Sequence, residues 1–220
     1  GSYVTAGDVN GDGIDDVIVG SPLAHATYTT VTTGDTGDTG DLVSTTEVER
    51  AGSLSIVYGP IESRKKLSNA DVHLFGWEVD HGLGQTASVL GDQNEDGHAE
   101  LMVGLPGDDG SASNAGCVRI VSGPITAESD VSEGYFLAGD TEGDAAGTVV
   151  VNAGDLNGDG IDDVAVSAPL YDPAPPGDAA VAVDGGAVYV VLGPLVRHRF
   201  LGDSDGQHLG EYAADHAGTT

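Results

Sequence analysis

The segment Gly7-Asp-Val-Asn-Gly-Asp-Gly-Ile-Asp-Asp-Val-Ile-Val-Gly-Ser-Pro22 decides the fold, because the chain repeats it twice. The second copy runs from Gly91 to Pro106 and the third from Gly154 to Pro169, so the copies begin 84 and 63 residues apart. Each copy opens with Asp, Asn and Gly, which favour turns, and ends in a short apolar run, which favours a strand. Self-similarity at this spacing indicates a repeat architecture.

Two further signatures follow each copy in fixed order. The first is an apolar run that ends in Gly-Pro, at 51–60, 115–124 and 185–194. The second is an apolar group before glycine, at Leu74-Phe75-Gly76, Phe136-Leu137-Ala138-Gly139 and Phe200-Leu201-Gly202. The repeating unit is therefore one supersecondary module.

Each unit contains four short β-strand patterns separated by Gly, Pro or Asp turns. The predicted strands of the first unit are Tyr3–Ala6, Val17–Gly20, Ser53–Tyr58 and Val72–Phe75. Those of the second are Gln85–Leu90, Leu101–Gly104, Cys117–Ser122 and Tyr135–Leu137. Those of the third are Thr148–Ala153, Val164–Ser167, Ala187–Leu192 and His198–Leu201.

Tandem four-stranded antiparallel units predict an all-β fold made of β-propeller blades. A β-sandwich is the competing all-β fold, but it does not explain three copies of the same turn chemistry. We expect blades at about 1–76, 84–139 and 147–202 in a single propeller segment, with 203–220 leading into a further blade.

The loop between the first and second strand of each unit carries oxygen donors at alternate positions. Alternate oxygen ligands with glycine at the sixth position suit Ca²⁺, because glycine permits the sharp turn. The predicted ligands are the side chains of Asp8, Asn10, Asp12 and Asp16 with the Ile14 carbonyl; Asp92, Asn94, Asp96 and Glu100 with the His98 carbonyl; and Asp155, Asn157, Asp159 and Asp163 with the Ile161 carbonyl.

Two other structures are compatible with loops rich in Asp, Asn and Gly: an EF-hand and a plain hairpin turn. An EF-hand requires an acid at loop position twelve, which here is Val19, Val103 or Val166, whereas the acid stands at position nine. The spacing therefore excludes an EF-hand. Plain hairpin turns remain the alternative, because Asp, Asn and Gly are common turn residues.

The order Phe-Gly, Asp-x-Asn-x-Asp-Gly-x-x-Asp and Gly-Ser-Pro resembles the FG-GAP repeat of integrin α-chain β-propellers and their prokaryotic relatives. Phe75-Gly76 stands for the first element, and Gly20-Ser21-Pro22, Gly104-Leu105-Pro106 and Ser167-Ala168-Pro169 stand for the last. The resemblance implies a seven-bladed ring with structural Ca²⁺ in loops on its lower face. The single cysteine, Cys117, cannot form the disulfides common in animal integrins, which favours a microbial homologue.

Three blades are too few to close a ring, since propellers typically have four to eight. The final segment Ala217–Thr220 matches Ala146–Val149, which begins the first strand of the third unit. We therefore expect either self-association of the chain or a further part of a longer chain to complete the propeller.

The chain has 7 Lys and Arg against 36 Asp and Glu, a formal charge of −29. This charge excludes nucleic acid and anionic membranes as partners, because phosphate binding needs clustered cations. The apolar runs are also too short to cross a bilayer. Three bound Ca²⁺ ions would offset only a small part of this charge.

Strand alternation divides the loops between two faces. The lower face carries the acidic first-to-second-strand loops, and the upper face is formed by 24–50, 76–84, 107–114, 138–147, 171–185 and 202–217. Arg50 is the only Lys or Arg in these upper loops. This acidic surface suits a cationic or metal-bridged protein or glycan ligand, although solvation alone also explains it.

These observations predict a calcium-stabilised, integrin-like propeller that acts as an extracellular or cell-surface protein-binding and adhesion module. The sequence shows no convergent His, Asp and Arg cluster, so we expect no enzymatic activity. Two alternatives remain: a non-catalytic scaffold attached to an enzyme of the phospholipase or lyase kind, and a purely structural spacer.

Overall fold

The computed structural model describes residues 3–32, 42–127, 129–173, 183–212 and 214–219. Three sheets dominate these ranges, and the four main strands of each come from one sequence unit. The remaining regular structure is a two-stranded hairpin and three short 3₁₀ helices, Leu67–Asn69, Val131–Glu133 and Leu201–Asp203. In the described ranges, no helix has the length and apolar character needed to cross a bilayer.

Each unit forms an antiparallel blade in which four strands follow one another in order. The first blade contains β1 (Tyr3–Gly7), β2 (Asp16–Ser21), β5 (Ser53–Val57) and β6 (Val72–Phe75). The second contains β7 (Ala87–Val89), β8 (Leu101–Leu105), β9 (Cys117–Val121) and β10 (Tyr135–Ala138). The third contains β11 (Val150–Gly154), β12 (Asp163–Ala168), β13 (Ala187–Val191) and β15 (Gly206–Leu209). The predicted all-β blades are confirmed.

The core lies between the blades rather than within any of them. One cluster joins the facing sides of the first two blades and includes Ile18, Leu54 and Leu105. A second cluster joins the second and third blades and includes Met102, Ile120 and Val166. The second blade contributes to both clusters, and every residue of its β8 is buried. In the first blade, burial alternates along β2, while β5 is buried throughout. Successive side chains of a strand point to opposite faces of the sheet, so neighbouring positions contact different neighbouring blades.

The predicted fourth strand of the third blade, His198–Leu201, is wrong. The strand that pairs with β13 is β15, which begins at Gly206. The glycine equivalent to Gly76 and Gly139 is consequently Gly210, because each of the three donates its N–H to the glycine that precedes the third strand, at 3.1, 2.8 and 3.0 Å. The blade therefore extends to Gly210 instead of 202, and 202–205 belong to the lower-face connection before β15.

The segment that resembled the missing strand joins another blade. Arg199–Phe200 form β14, which pairs in parallel with Leu137 and Ala138 of β10. The second sheet thus gains a fifth strand on its outer edge from the connection between β13 and β15. Sequence pattern alone does not distinguish pairing within a unit from pairing with its neighbour.

The long insertion 24–50 contains a hairpin that the sequence analysis did not predict. Its strands are β3 (Ala26–Thr32) and β4 (Leu42–Val48), paired in antiparallel register. The low-complexity stretch 33–41 lies outside the described residues, as does 174–182 of the second long insertion.

Backbone glycines set the spacing between neighbouring blades. A Cβ on Gly20 would overlap the carbonyl oxygen of Gly84, and a Cβ on Gly104 would overlap that of Gly147. Gly84 and Gly147 precede the first strand of the next blade and adopt φ of +89° and +84°. A left-handed backbone at this point favours glycine over any other residue. Backbone therefore packs directly on backbone at each seam, with no side chain between.

Polar contacts join the same seams on the lower face. The Gln93 side chain is buried, donates to the Asp162 carbonyl at 3.0 Å and accepts the N–H of Leu195 at 3.0 Å. At the first seam the Val9 carbonyl accepts the N–H of Ile125 at 2.7 Å. Adjacent blades are thus bonded to one another close to the acidic loops.

We predict that Gly104→Ala lowers the free energy of unfolding by about 1–3 kcal/mol, because the added methyl must displace the backbone at Gly147. Urea denaturation followed by circular dichroism measures the change. Gly206→Ala is the matched control, since its Cβ would meet Val190 at an ordinary 3.5 Å. Equal stability of the two variants would show that the contact between Gly104 and Gly147 accommodates a methyl group.

Candidate metal centre

The three acidic loops connect the first and second strands of each blade and share one hydrogen-bond pattern. The first aspartate accepts backbone N–H groups from the following turn: in the first loop, Asp8 accepts those of Gly11 and Gly13, both at 2.7 Å. Asp155 binds Gly158 and Gly160 in the same way, at 2.6 and 2.8 Å. These bonds hold the loop in a tight circle around its own carboxylates.

The middle positions of each loop are also bonded within the loop. The Asn10 amide donates to Asp12 at 3.2 Å, and the N–H of Ile14 donates to Asp12 at 2.8 Å. The second and third loops repeat both bonds at 2.9 Å, through Asn94, Asp96 and His98 and through Asn157, Asp159 and Ile161. The predicted side-chain ligands therefore lie on one short stretch of chain in each blade.

The carboxylate at the ninth position is buried in all three loops. Asp16 and Asp163 are fully buried, and each bonds two backbone groups. Asp16 accepts the N–H of Val9 at 3.1 Å and of Gly59 at 2.9 Å. Asp163 makes the same pair of bonds to Leu156 at 2.7 Å and Gly193 at 2.8 Å. This residue links the acidic loop to the Gly-Pro turn that ends the third strand.

The second loop differs because its ninth residue is Glu100. Only Oε2 is bonded, to the N–H of Gln93 at 2.6 Å. Oε1 is buried and has no hydrogen-bond partner. The side chain as a whole is 1% exposed. An isolated carboxylate oxygen in the interior is costly unless a positive charge compensates it.

Asp92, Asp96 and Glu100 approach one another more closely than any comparable group in the described part of the chain. One oxygen from each lies within 4.8 Å of the other two. Three carboxylates at this distance repel one another, and a divalent cation removes the repulsion while accepting the unpaired Glu100 oxygen. The donor set consists of oxygens alone, which is the chemistry that Ca²⁺ and Mg²⁺ prefer.

The pKa values in these loops follow burial and backbone bonding. Burial raises the pKa of Glu100, the bond from Gln93 opposes this rise, and the backbone of Gly123 adds only a small lowering. Burial likewise raises the pKa of Asp16, against the hydrogen bond from Gly59. The N–H of Gly97 lowers the pKa of the exposed Asp92, and that of Gly160 does the same for Asp155.

The structure brings the predicted ligands together unequally. The carboxylates of the second loop meet at the distance given above, whereas Asp16 and Asp163 point both oxygens at backbone N–H groups. The three-site calcium assignment, with the Ile14, His98 and Ile161 carbonyls as ligands, stays a prediction. Sequence reasoning missed the buried unpaired oxygen of Glu100, since a single-residue exchange of Asp for Glu does not reveal burial.

The upper face contains a buried polar position that sequence reasoning also missed. His81, Asp144 and Asp215 occupy equivalent places in the connections that leave each blade, and the first two are buried. His81 contacts Glu78 at 3.0 Å through Nε2, and Asp215 accepts the N–H of Tyr212 at 2.8 Å. The residue before each of these positions has a positive φ, at Asp80, Gly143 and Ala214 respectively. Each of these side chains supports the same tight connection.

The blades and their acidic loops define a β-propeller segment built from a repeated unit. A family model described as the FG-GAP repeat matches residues 1–41 and 146–191. The chain therefore contains FG-GAP repeats, which lie in the first and third units of its β-propeller blades. The second loop, which lies outside these matches, departs from the pattern at Glu100, where the motif has Asp. It also differs from the other two loops at Glu95, whose φ is +62° where Gly11 and Gly158 have +80° and +83°. A comparison with curated proteins returned no match.

Burial of the upper-face carboxyl Asp144 makes stability depend on pH. Burial raises its pKa from 3.8 to about 6, with Asp172 and Asp140 adding to the rise and Thr141 opposing it. The folded chain therefore binds this proton more tightly than the unfolded chain. As a result, the contribution of Asp144 to the free energy of unfolding falls as pH rises from about 4 to about 6, and it stays lowered above that range.

We predict that Asp144→Asn is more stable than the parent chain at pH 7, by at most about 3 kcal/mol, and gains nothing near pH 4. Urea denaturation of both proteins across this range measures the difference. Glu142→Gln, an exposed neighbour, serves as the control and should leave the pH profile unchanged. A constant difference between Asp144→Asn and the parent at all pH values would contradict the assignment.

Proposed function

We propose that this chain is a calcium-stabilised propeller segment that acts as an extracellular protein-binding or cell-adhesion module. The observation that carries the calcium part is the buried, unpaired Oε1 of Glu100 beside Asp92 and Asp96. A hydrogen bond would satisfy this oxygen in an ordinary core, and none is formed here. The backbone of Gly123, the counterpart of Gly59 and Gly193, is close enough only to lower the pKa of Glu100 slightly. The FG-GAP repeat supports the same conclusion, because its loops commonly bind calcium.

Calcium serves the fold in this proposal. The second loop begins at β7 and ends at β8, and Gln93 within it bonds to the third blade. A cation that holds Asp92, Asp96 and Glu100 together therefore also fixes Gln93 at the seam. The first and third loops, with the same side-chain order, would bind further ions after small rotations of Asp16 and Asp163.

We predict that EDTA lowers the melting temperature, since a ligand present at about 100 times its Kd contributes about 2.7 kcal/mol per site. Glu100→Gln tests the second loop separately. The variant should be less stable than the parent in Ca²⁺, where it loses a ligand. It should be more stable in EDTA, where it removes an uncompensated buried charge. The melting temperatures of the variant and the parent protein, measured in Ca²⁺ and in EDTA, test both expected differences.

Isothermal titration with Ca²⁺ should show one site fewer, or one site weakened by at least about tenfold, in Glu100→Gln. Glu133→Gln is the matched control, because it removes an exposed acid from the same blade outside the loop. A melting temperature unaffected by EDTA in the parent protein would refute the structural metal.

The acidic upper face supports a binding role. Its exposed acids in the described ranges come from all three blades: Glu47, Glu49, Glu78, Asp80, Asp109, Asp140, Glu142, Asp172, Glu211 and Asp215. Arg50 lies among them and pairs with Asp80 at 2.7 Å, which neutralises its charge locally. A surface of one sign attracts ligands of the other sign and accelerates their encounter. We therefore propose a cationic or metal-bridged protein or glycan as its partner.

We predict that Glu142→Gln with Glu211→Gln weakens binding of a short oligolysine peptide about two- to fivefold at low salt, as expected for exposed charge pairs. The matched control is Glu62→Gln with Glu133→Gln, which removes two exposed acids from the connections on the lower face. Fluorescence anisotropy in Ca²⁺ compares the two. Equal losses in both double variants would show that net charge, and not the upper face, attracts the peptide.

We also propose that the propeller is completed by association with further blades, either in a second copy or in a longer chain. Ala217 forms a parallel bridge to Gly186, as Leu83 does to Gly52 and Ala146 to Gly116. Leu83 and Ala146 each lead directly into the first strand of a following blade. The third blade is thus shaped to receive another blade at its seam.

A further inference from the structure

The outer edge of the second blade shows how this fold binds an added strand. β14 lies parallel to β10, with Arg199 opposite Leu137 and Phe200 opposite Ala138. His198, just before β14, stacks on Phe136 with ring centroids 4.2 Å apart. Arg199 is neutralised by Asp205 at 3.2 Å within its own blade. A short basic and aromatic segment of the chain itself therefore occupies this outer edge.

The outer strand of the first blade, β6, presents an equivalent edge. Gly76 bonds Gly52 across the ladder to β5, so alternation turns the backbone N–H and C=O of His73 and Phe75 away from β5. These are the counterparts of Phe136 and Ala138 on β10. Within the described residues, no strand pairs with β6 on this outer side.

The segment that corresponds to β14 stands apart from β6. Ser129–Asp130 precede the 3₁₀ helix Val131–Glu133, just as Arg199–Phe200 precede Leu201–Asp203. Asp130 turns back onto its own helix and accepts the N–H of Ser132 at 2.8 Å. Ser129 offers no apolar side chain to the edge. Unlike Arg199–Phe200, this segment thus leaves the neighbouring edge strand unpaired.

A groove of about 250 Å³ separates the two. We call it the edge groove, and its lining residues are His73, Leu74, Phe75 and Trp77 on one side and Ser129, Asp130, Val131 and Ser132 on the other. Phe75 is 41% exposed. Trp77 is held by the Arg119 guanidinium, whose centre lies 5.3 Å from its ring, and by the edge of His81 at 4.7 Å.

The chemistry of the edge groove selects its occupant. Phe75 and Trp77 are two of only four Phe and Trp residues in the chain, and both line the groove. Aromatic rings beside unpaired strand groups suit β-strand addition, in which backbone bonds give affinity and side-chain contacts give specificity. Asp130 is the formally charged side chain among these lining residues, and the whole molecule is strongly acidic. Both charges favour a peptide that carries a basic residue.

We propose that the edge groove binds an extended peptide segment, in which a basic residue precedes an aromatic one, as a strand parallel to β6. The peptide repeats on the first blade what Arg199–Phe200 do on the second. This site lies on the outer edge of β6 and shares no residue with the calcium loops, although Trp77 belongs to the upper-face connection 76–84. Phe75, which lies in β6 and outside the upper face, therefore carries its test.

The probe is a fluorescent peptide with the sequence of residues 196–203, Val-Arg-His-Arg-Phe-Leu-Gly-Asp. A control peptide carries Ser-Asp in place of Arg-Phe and so imitates residues 129–130. In Ca²⁺ buffer, anisotropy should show binding of the probe, with the control peptide weaker by at least about tenfold. Phe75→Ser should weaken the probe to a similar degree. Leu209→Ser, the equivalent change on β15, should leave binding unchanged.

Amide hydrogen exchange on the parent protein supplies a second measurement that needs no variant. Addition of the probe should slow exchange at His73 and Phe75, whose outward N–H groups become bonded. Probe affinity that is equal for the parent and Phe75→Ser, or protection confined to β10 through displacement of β14, would overturn the proposal. Equal binding of the two peptides would do the same.

Discussion

One buried carboxylate per blade joins the acidic loop to the rest of the structure. Asp16 and Asp163 lie at the start of the second strand, and each bonds a backbone N–H of its own loop and one from the turn after the third strand. Burying a carboxylate is favourable only when its oxygens are compensated. The loop, the second strand and the third strand must therefore be in place together, which makes the blade a cooperative unit.

The second blade makes the same connection with a longer side chain and leaves one oxygen without a partner. Glu100 accepts the N–H of Gln93 through one oxygen, and its other oxygen is buried without a hydrogen-bond partner. The middle blade is also the one covered on both sides, and its Gln93 bonds to the third blade. A cation at this loop would thus stabilise a seam as well as a turn, which connects metal binding to the packing of the propeller.

The acidity of the chain has more than one physical origin. The ninth-position acids are structural, because they bond backbone groups in the interior. Exposed acids of the upper face also bond backbone N–H groups, as Asp140, Asp172 and Asp215 do, but at the surface. Asp80 forms an ion pair with Arg50 there. The lower-face connections keep most of the basic residues, including Lys65, which pairs with Asp71 at 2.6 Å. The two faces therefore differ mainly in their basic residues, because acids are frequent on both.

The order of Asp, Asn and Gly in three copies was enough to predict the blades, the acidic loops and the candidate ligands. Turn structure depends on residues that are adjacent in sequence and can therefore be predicted from it. Gly13, Gly97 and Gly160 all adopt the positive φ that their loop position requires. Pairing is not local, which explains the error at His198–Leu201. An apolar group before glycine predicts an outer strand, yet the competition between β14 and β15 for that place depends on which blade lies nearby.

By itself, then, the sequence determined the repeat, the all-β blades and the oxygen-rich loops, because each follows from residue type and short spacing. The tertiary structure alone decided the unpaired oxygen of Glu100, the added strand on the second blade and the open edge of the first. Each of these depends on what a neighbouring blade covers or leaves exposed. Burial and edge pairing are properties of the assembled sheets, and no single segment encodes them.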